Sequence, residues 1–474
     1  MALLFVFSIV LVPIALVLHS LLSKSDKIPK YHEPGRPAVA VALSYAQNPV
    51  ETIKRATEKC GGVFSLQIFT VRNIFLRGND LNRKYLDVRE DTWSFGGGMG
   101  LFLNKILDDG YWAQSRSLIG SLGRWINRAQ TLDHISEVTL QEAEKSFDRW
   151  VNEGDIKLFE RVSAMVHQVI VRCLMGEDFY EKSCAELLDL LHAMEADIGS
   201  PLNMILPDWM PHPPARRLRK ARERVDKIFH ERLQERSQAS EAWAESEDYI
   251  SHTLNDKTTA DKKEFLPSHH TLLMFAAHTS TVASISWSII SILKHPGTLL
   301  AIQKELQEGP GSVEHTLLQA SIRETSRLYA GMNTLRLARR DYELPGTEIH
   351  VPAGSVVSIS PYLTHHDPQN FEQPESWIPE RWISEKGTLV GVDDDNNNNK
   401  TEAKFIPFGT GAHHCVGEKM AMMVTTRALE TLFSGYDVDW VEGPPSEDVR
   451  LLNFARIGSP WLKGDVRVKL TKRK

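Results

Sequence analysis

The sequence predicts a mainly α-helical protein with a minor β region, and three observations carry that expectation. Apolar residues recur at helical spacing over 101–128, 136–150, 158–175, 183–198, 216–238, 268–294 and 313–328. Alternation suited to strands is confined to short runs at 63–70, 71–76, 335–340 and 355–360, each bounded by turn residues. There is no internal repeat, and 474 residues with 42% hydrophobic content suffice for one large core.

In chain order, residues 2–22 are apolar apart from Ser8, Pro13, His19 and Ser20, a run of about 20 residues that can span a bilayer. Lys24, Lys27 and Lys30 follow it and no basic residue precedes it, which places the body in the cytosol. A cleaved signal peptide would need a charged n-region and a small-residue cleavage site, and neither is present. Residues 1–23 are therefore expected as a transmembrane signal anchor, 24–40 as a basic, Pro-rich hinge and 41–474 as a single domain. Residues 48–61 read as a helix feeding a hairpin that ends at Gly78, and 93–100 as a Gly-rich loop. The basic helix 216–238 reads as a solvated face or as a membrane-facing surface. The 268–294 pattern is the longest of the body and is rich in Ala, Ser and Thr at its middle, whereas 393–399 is a polar low-complexity loop.

A net charge of -6 gives no reason to expect a nucleic-acid partner. Cys60, Cys173, Cys184 and Cys415 lack C-x-x-C or zinc-type spacing, which argues against disulfides or structural zinc and fits a reducing compartment. Cys415 stands apart, in Phe408-Gly409-Thr410-Gly411-Ala412-His413-His414-Cys415-Val416-Gly417, just before a helical pattern over 416–432. Gly411 and Gly417 permit backbone shapes that a side chain would forbid. A loop bent this tightly can aim N–H groups at the sulfur, with a helix N-terminus behind it and Phe408 as an apolar lid. A thiolate held open on one side suits an axial metal ligand better than a packing residue.

Four further motifs join the Cys415 loop. Glu324 and Arg327 are an i, i+3 pair, which alone would be a surface ion pair. Pro379-Glu380-Arg381-Trp382 follows, Trp112 and Arg116 share one helix face, and Ala276-Ala277-His278-Thr279-Ser280-Thr281 occupies the middle of the longest helix. In this order and over nearly the whole chain, these motifs resemble the cytochrome P450 family. The resemblance implies the cytochrome P450 fold and haem b, with Cys415 as the iron ligand in a loop shaped by Phe408, Gly409, Gly411 and Gly417. It further implies propionate contacts from Trp112, Arg116, Arg336 and His413, and a buried structural network of Glu324, Arg327 and Arg381. The long helix would cross the haem face. In the family register Thr279 stands where an acid is usual and Ser280 where the catalytic alcohol stands, with Thr281 next to it, so these three are the proton-handling candidates. Phe95, Met99, Leu101, Phe102, Phe275 and Ala276, with 202–209 and 457–461, would contact substrate.

The implied activity is a monooxygenase inserting one oxygen atom from O₂ into a lipophilic terpenoid, steroid or polyketide-like molecule, in specialised (secondary metabolite) biosynthesis. Electrons would come from NADPH-cytochrome P450 reductase, and the catalytic domain would sit on the cytosolic face of the endoplasmic reticulum. The likeness is nearest to the sterol 14α-demethylase, bile-acid hydroxylase and prostacyclin synthase branch. Demethylases carry His at the acid position, whereas His278 falls one residue earlier, and 93–100 does not match their pattern. The missing acid keeps open a reductase-independent isomerase or dehydratase acting on a peroxide, and a sterol demethylase is the other alternative.

Overall fold

The computed structural model describes residues 27–473 except 34, 69–70, 201, 204–205, 207–209, 239–242, 244–245, 309–314, 330, 332, 391–402, 447 and 455–457. The expected anchor at 1–23 and the polar loop at 393–399 lie outside the described residues. The N-terminal third runs α1 (Ala38–Gln47), α2 (Pro49–Cys60), β1 (Val63–Ile68), β2 (Val71–Leu76), α3 (Asn79–Asp87), β3 (Trp93–Ser94), α4 (Phe95–Leu103), α5 (Tyr111–Ile126) and α6 (Ala129–Glu153). Then come β4 (Asp155–Lys157), α7 (Leu158–Met175), α8 (Glu177–Ile198), α9 (Pro213–Gln238), α10 (Tyr249–Asn255), α11 (Leu266–Lys294), α12 (Pro296–Glu308) and α13 (Thr316–Tyr329). The remainder is β5 (Thr334–Ala338), β6 (Tyr342–Glu343), β7 (His350–Val351), β8 (Val356–Ile359), α14 (Pro361–His365), α15 (Glu418–Gly435), β9 (Tyr436–Trp440), β10 (Leu452–Asn453), β11 (Trp461–Leu462) and β12 (Arg467–Lys472).

The main core lies among the helices, where α7, α11 and α15 bury Val166, Ile170, Val282, Ile289, Leu429 and Phe433 together. Helix α11 is apolar on nearly every side because it runs through that core. Its stretch Lys263–Lys294 is long and apolar enough to cross a membrane, but 78% of its most apolar window is buried inside the protein. The larger sheet has the order β1-β2-β8-β5-β3, with β2 parallel to β8 and the other pairs antiparallel.

Three expectations change. The Gly-rich stretch is a helix, α4, rather than a loop. Ser94 Oγ accepts the Gly97 N–H at 2.9 Å and Glu90 accepts the Phe95 N–H at 2.8 Å, which satisfies the first turn. Glycine is required at 98, since a Cβ there would stand 2.6 Å from the Leu335 carbonyl oxygen. The expected helix 101–128 is then broken ahead of α5, where Gly110 takes φ +83°. The segment read as a hinge is pinned instead to the sheet. Tyr31 N–H donates to the Ser65 carbonyl at 2.9 Å, Ser65 N–H to Pro29 at 2.8 Å, and Ile28 and Tyr31 are buried. On α9 the reading as a solvated face holds: Arg216, Arg219 and Lys220 are exposed, Arg217 and Arg224 pair with Asp197 and Glu186 of α8, and Leu218, Val225 and Phe229 face the core.

Buried histidines give the fold a pH limit. His365 sits between Arg327 and Ile406: its Nδ1 faces the Arg327 carbonyl at 3.1 Å and its Nε2 accepts the Ile406 N–H at 2.9 Å. Burial pushes both His365 and His269 down to about 3. With unfolded values near 6.5, these groups leave stability intact above about pH 6.5 and remove it as pH falls toward 3, by up to about 1.4 kcal/mol per unit for each histidine. The melting temperature is expected to fall from pH 7 to pH 4, and His365→Asn to flatten that slope. An unchanged slope in the variant would exclude His365 as a contributor.

Candidate active site

The Cys415 loop is folded back on itself. Gly409 N–H donates to Ile406 at 3.1 Å and Cys415 N–H to Phe408 at 2.9 Å, and His414 N–H to Gly411 at 3.1 Å closes a single 3₁₀ turn over Gly411–His413. Gly409 at φ +67° and Gly411 at φ +69° use the left-handed region, which favours glycine. Gly417 does not, at φ -88°; it caps α15, and a Cβ there would lie 3.9 Å from the Cys415 sulfur. Among the cysteines Cys415 is exposed, Cys173 is buried, and Cys60 and Cys184 are in between. Although Cys415 has open surface, enough protein surrounds it for desolvation to push its thiol above the ordinary value. The Gly417 and Glu418 N–H groups pull it back, and the Glu418 charge pushes it up.

A cavity of about 1540 Å³ opens beside this loop, walled by Ala412, His413 and Val416, by α4 and α5, by the end of α8, and by Phe454 and Gly458. Single-ligand pockets run to about 300–1,000 Å³, so there is room for a cofactor and a substrate together. Phe95, Met99, Leu101 and Phe102 line it as expected. Phe275 and Ala276 are not among the lining residues: Phe275 is only 2% exposed and packs in the main core, whereas Ala276 is exposed on α11 (Leu266–Lys294) outside this lining.

Trp112 and Arg116 both line the cavity, as their i, i+4 spacing requires. The Trp112 Nε1 donates to Asn104 Oδ1 at 2.7 Å. Arg116 is exposed there and has no hydrogen-bond or ion-pair partner among the described residues. Arg336 is fully buried on β5, its Nη1 donating to the Tyr85 and Val88 carbonyls at 2.9 Å each and its guanidinium 4.6 Å from the Tyr85 ring, while its Nε and Nη2 have no hydrogen-bond partner among the described residues, which fits a buried anion such as a propionate. Leu335, Leu337 and Arg339 occupy the cavity face, and Arg339 Nη2 donates to Ser94 Oγ at 2.9 Å. His413 also lines the cavity, its ring stacked on Phe95 and its Nε2 held 3.1 Å from Glu90 Oε2. Burial pushes the Glu90 carboxyl up, but bonds from His413, the Phe95 N–H and Ser94 outweigh it and hold the group at about 2. Neither Arg339 nor Glu90 was foreseen; counting β5 in twos from Leu335 would have reached Arg339.

On α11 the three proton-handling candidates diverge, because successive helical residues turn by about 100°. Ala276 is exposed and Ala277, Ser280 and Ser284 are half-buried, forming one small-residue stripe on an otherwise buried helix. The Ser280 hydroxyl donates to the Ala276 carbonyl at 2.9 Å. Thr281 is buried, and Thr279 is fully buried with its hydroxyl donating to Glu195 Oε1 at 2.6 Å, so both leave the open face to Ser280.

Glu324, Arg327 and Arg381 form a buried network instead of a surface pair. The Arg327 guanidinium donates to both Glu324 oxygens, at 2.9 and 3.0 Å, and to the carbonyls of His365, Pro374 and Ser376 at 2.7–3.0 Å. Glu324 also accepts from Arg381 Nε at 3.1 Å, Ile378 N–H at 3.0 Å and Trp382 Nε1 at 2.9 Å.

The sequence profile of the family described as Cytochrome P450 matches residues 32–458. The chain is 46% identical over 437 residues to the cytochrome P450 monooxygenase pyvB of Aspergillus violaceofuscus, covering 92% of this chain and 88% of that protein. It is 45% identical over 456 residues to the cytochrome P450 monooxygenase pynD of Aspergillus niger, covering 95% and 94%. Obtusifoliol 14-alpha demethylase of Triticum aestivum is 26% identical over 476 residues, covering 93% and 98%. The retinoic acid-bound cyanobacterial CYP120A1 shares the fold, at TM-score 0.76 and 20% identity, over 95% of this chain and 100% of that one. The residues present fit the family's haem: an accessible thiol in a tight loop, a cavity with room to spare, and cationic side chains on its wall. The chain belongs to the cytochrome P450 family, a monooxygenase that takes a substrate, O₂ and a redox partner and whose cofactor is haem held by a cysteine thiolate.

Proposed function

We propose that Cys415 would ligate the iron of haem b and that Trp112, Arg116, Arg336 and Arg339 would meet its propionates, with His413 beside them under the hold of Glu90. One observation supports this reading above the rest: the exposed cysteine lies in sequence between His413 and Val416, which line the cavity that Arg116 and Arg339 also line. When bound, a haem-thiolate supplies reductive O₂ activation and oxygen insertion. The chain supplies position. Phe95, Met99, Leu101 and Phe102 exclude water and orient an apolar substrate, Ala276 and Ala277 keep the helix face low, and Ser280 presents the hydroxyl that handles protons.

The substrate class is a lipophilic terpenoid, steroid or polyketide-like molecule of specialised metabolism. Greater likeness to the Aspergillus monooxygenases than to the demethylase supports a substrate other than a sterol methyl group. Electrons come from NADPH-cytochrome P450 reductase, and residues 1–23 anchor the 41–474 catalytic domain to the cytosolic face of the endoplasmic reticulum, with 24–40 between them. To test this, holoenzyme is titrated with farnesol, progesterone and a 4-hydroxy-6-alkyl-2-pyrone, reading haem spin state. At least one is expected to give a low-to-high-spin shift and, with the reductase, NADPH-dependent oxygenation. Product from a hydroperoxide alone, with no NADPH requirement, would overturn the reading.

A further inference from the structure

Thr279 is contacted from two segments that carry cavity-lining residues farther along. From one segment, Glu195 reaches it: Thr279 Oγ1 donates to Glu195 Oε1 at 2.6 Å, and Ile198, Gly199, Asn203 and Leu206, which line the cavity, follow Glu195 within a few residues. From the other segment, Trp461 Nε1 donates to the Thr279 carbonyl at 3.0 Å, and Gly458, three residues earlier, also lines the cavity. Gly458 lies beside α11, where a Cβ on it would be in ordinary contact at 3.6 Å from Ser280 N and 3.8 Å from Thr279 Cβ. The preceding residue is anchored as well, since His278 Nε2 lies 3.0 Å from Ser163 Oγ. Thr279 is fully buried, so it touches neither substrate nor solvent.

Its neighbour Ser280 is half-buried, on the more open face of α11. In this structure the hydroxyl donates back to the Ala276 carbonyl. Back-bonding of this kind bends a helix slightly and competes with pointing outward. A small shift of α11 at 279 would change that competition one residue on.

We propose that Thr279, through Glu195 and Trp461, couples occupancy of the cavity to the orientation of Ser280. It is a positioning residue, standing where the family register would have an acid and linking substrate binding to proton handling. The inference rests on the assignment of Ser280 above.

The test uses holoenzyme with NADPH-cytochrome P450 reductase and whichever of farnesol, progesterone and the alkyl pyrone gives the largest spin shift. Thr279→Val, checked for an intact thiolate-type carbonyl spectrum, is expected to keep the spin-shift affinity within about threefold, well under the 1.4 kcal/mol of a tenfold change. The share of NADPH electrons lost to peroxide should rise several-fold. Thr279→Ser restores the hydroxyl and should restore coupling, while Glu195→Gln and Trp461→Phe should uncouple partially. Wild-type coupling in Thr279→Val alongside uncoupled Ser280→Ala overturns the inference alone. Wild-type coupling in Ser280→Ala overturns the assignment beneath it. Loss of the spin shift in Thr279→Val with the carbonyl spectrum intact would mean that Thr279 shapes the pocket and does not transmit its occupancy, which also overturns the proposal.

Discussion

Cys415→Ala is expected to abolish turnover and to erase the thiolate-type band of the reduced carbonyl difference spectrum, while leaving the ligand-free fold nearly as stable as before. The two halves of that expectation have separate causes. Chemically, the variant removes the sulfur that pushes electron density to iron, a contribution no neighbour can replace. Cys60, Cys173 and Cys184 lie on other elements, and His413 and His414 are already engaged with Glu90 and Glu418. Structurally, Cys415 is exposed, and the loop is held by main-chain bonds such as Cys415 N–H to Phe408, which alanine keeps. Surface substitutions of this kind stay within about 0.5 kcal/mol. What the variant does lose is stabilisation by haem binding, which scales with ligand concentration over affinity. The checks are the carbonyl spectrum, product formation and chemical unfolding of the haem-free chain. A retained thiolate band would refute Cys415 as the ligand.

Much of this fold was legible because amphipathic helices write their period into the chain: 158–175 reads as a helix from sequence and is α7 end to end. The failures have particular physical sources. Glycine has poor helix propensity, so 95–103 reads as a loop; the cap from Ser94 and the close seat of Gly98 on β5 override that preference. The motif points to Arg336 and says nothing of Arg339, because a strand turns alternate side chains to opposite faces: Leu335, Leu337 and Arg339 line the cavity, while Arg336 is buried behind them with two nitrogens unpartnered among the described residues. The roles of Glu90 and Glu195 were invisible because each acts on a residue far along the chain, His413 and Thr279 respectively. Sequence showed that an acid was missing from the long helix; only packing shows a carboxylate arriving from α8 to bond the residue in its place.

Glu324→Ala and Arg327→Ala are each expected to destabilise the protein by about 3–5 kcal/mol, the first because it strands the Arg327 charge in a site closed to water, the second because it leaves the Glu324 charge with Arg381 as its remaining cation and three carbonyls unpaired. Both side chains are fully buried. Without Glu324, the Arg327 guanidinium keeps three carbonyls but no counter-charge, and the Trp382 and Ile378 donors lose their acceptor. Without Arg327, three carbonyls lose their donor, Glu324 loses two of the five bonds it accepts, and the Phe371 face that the guanidinium covers at 5.1 Å is opened. A domain's whole stability is about 5–15 kcal/mol, so either loss takes a large share and should appear as poor yield of haem-loaded protein. The test that separates a stranded charge from lost packing is the double variant Glu324→Met with Arg327→Leu. Removing both charges while retaining apolar volume should cost clearly less than the sum of the single alanine variants. Unfolding midpoints of the four proteins decide the matter. If the losses add, then hydrogen-bond geometry and packing, not the unpaired charge, hold this core together.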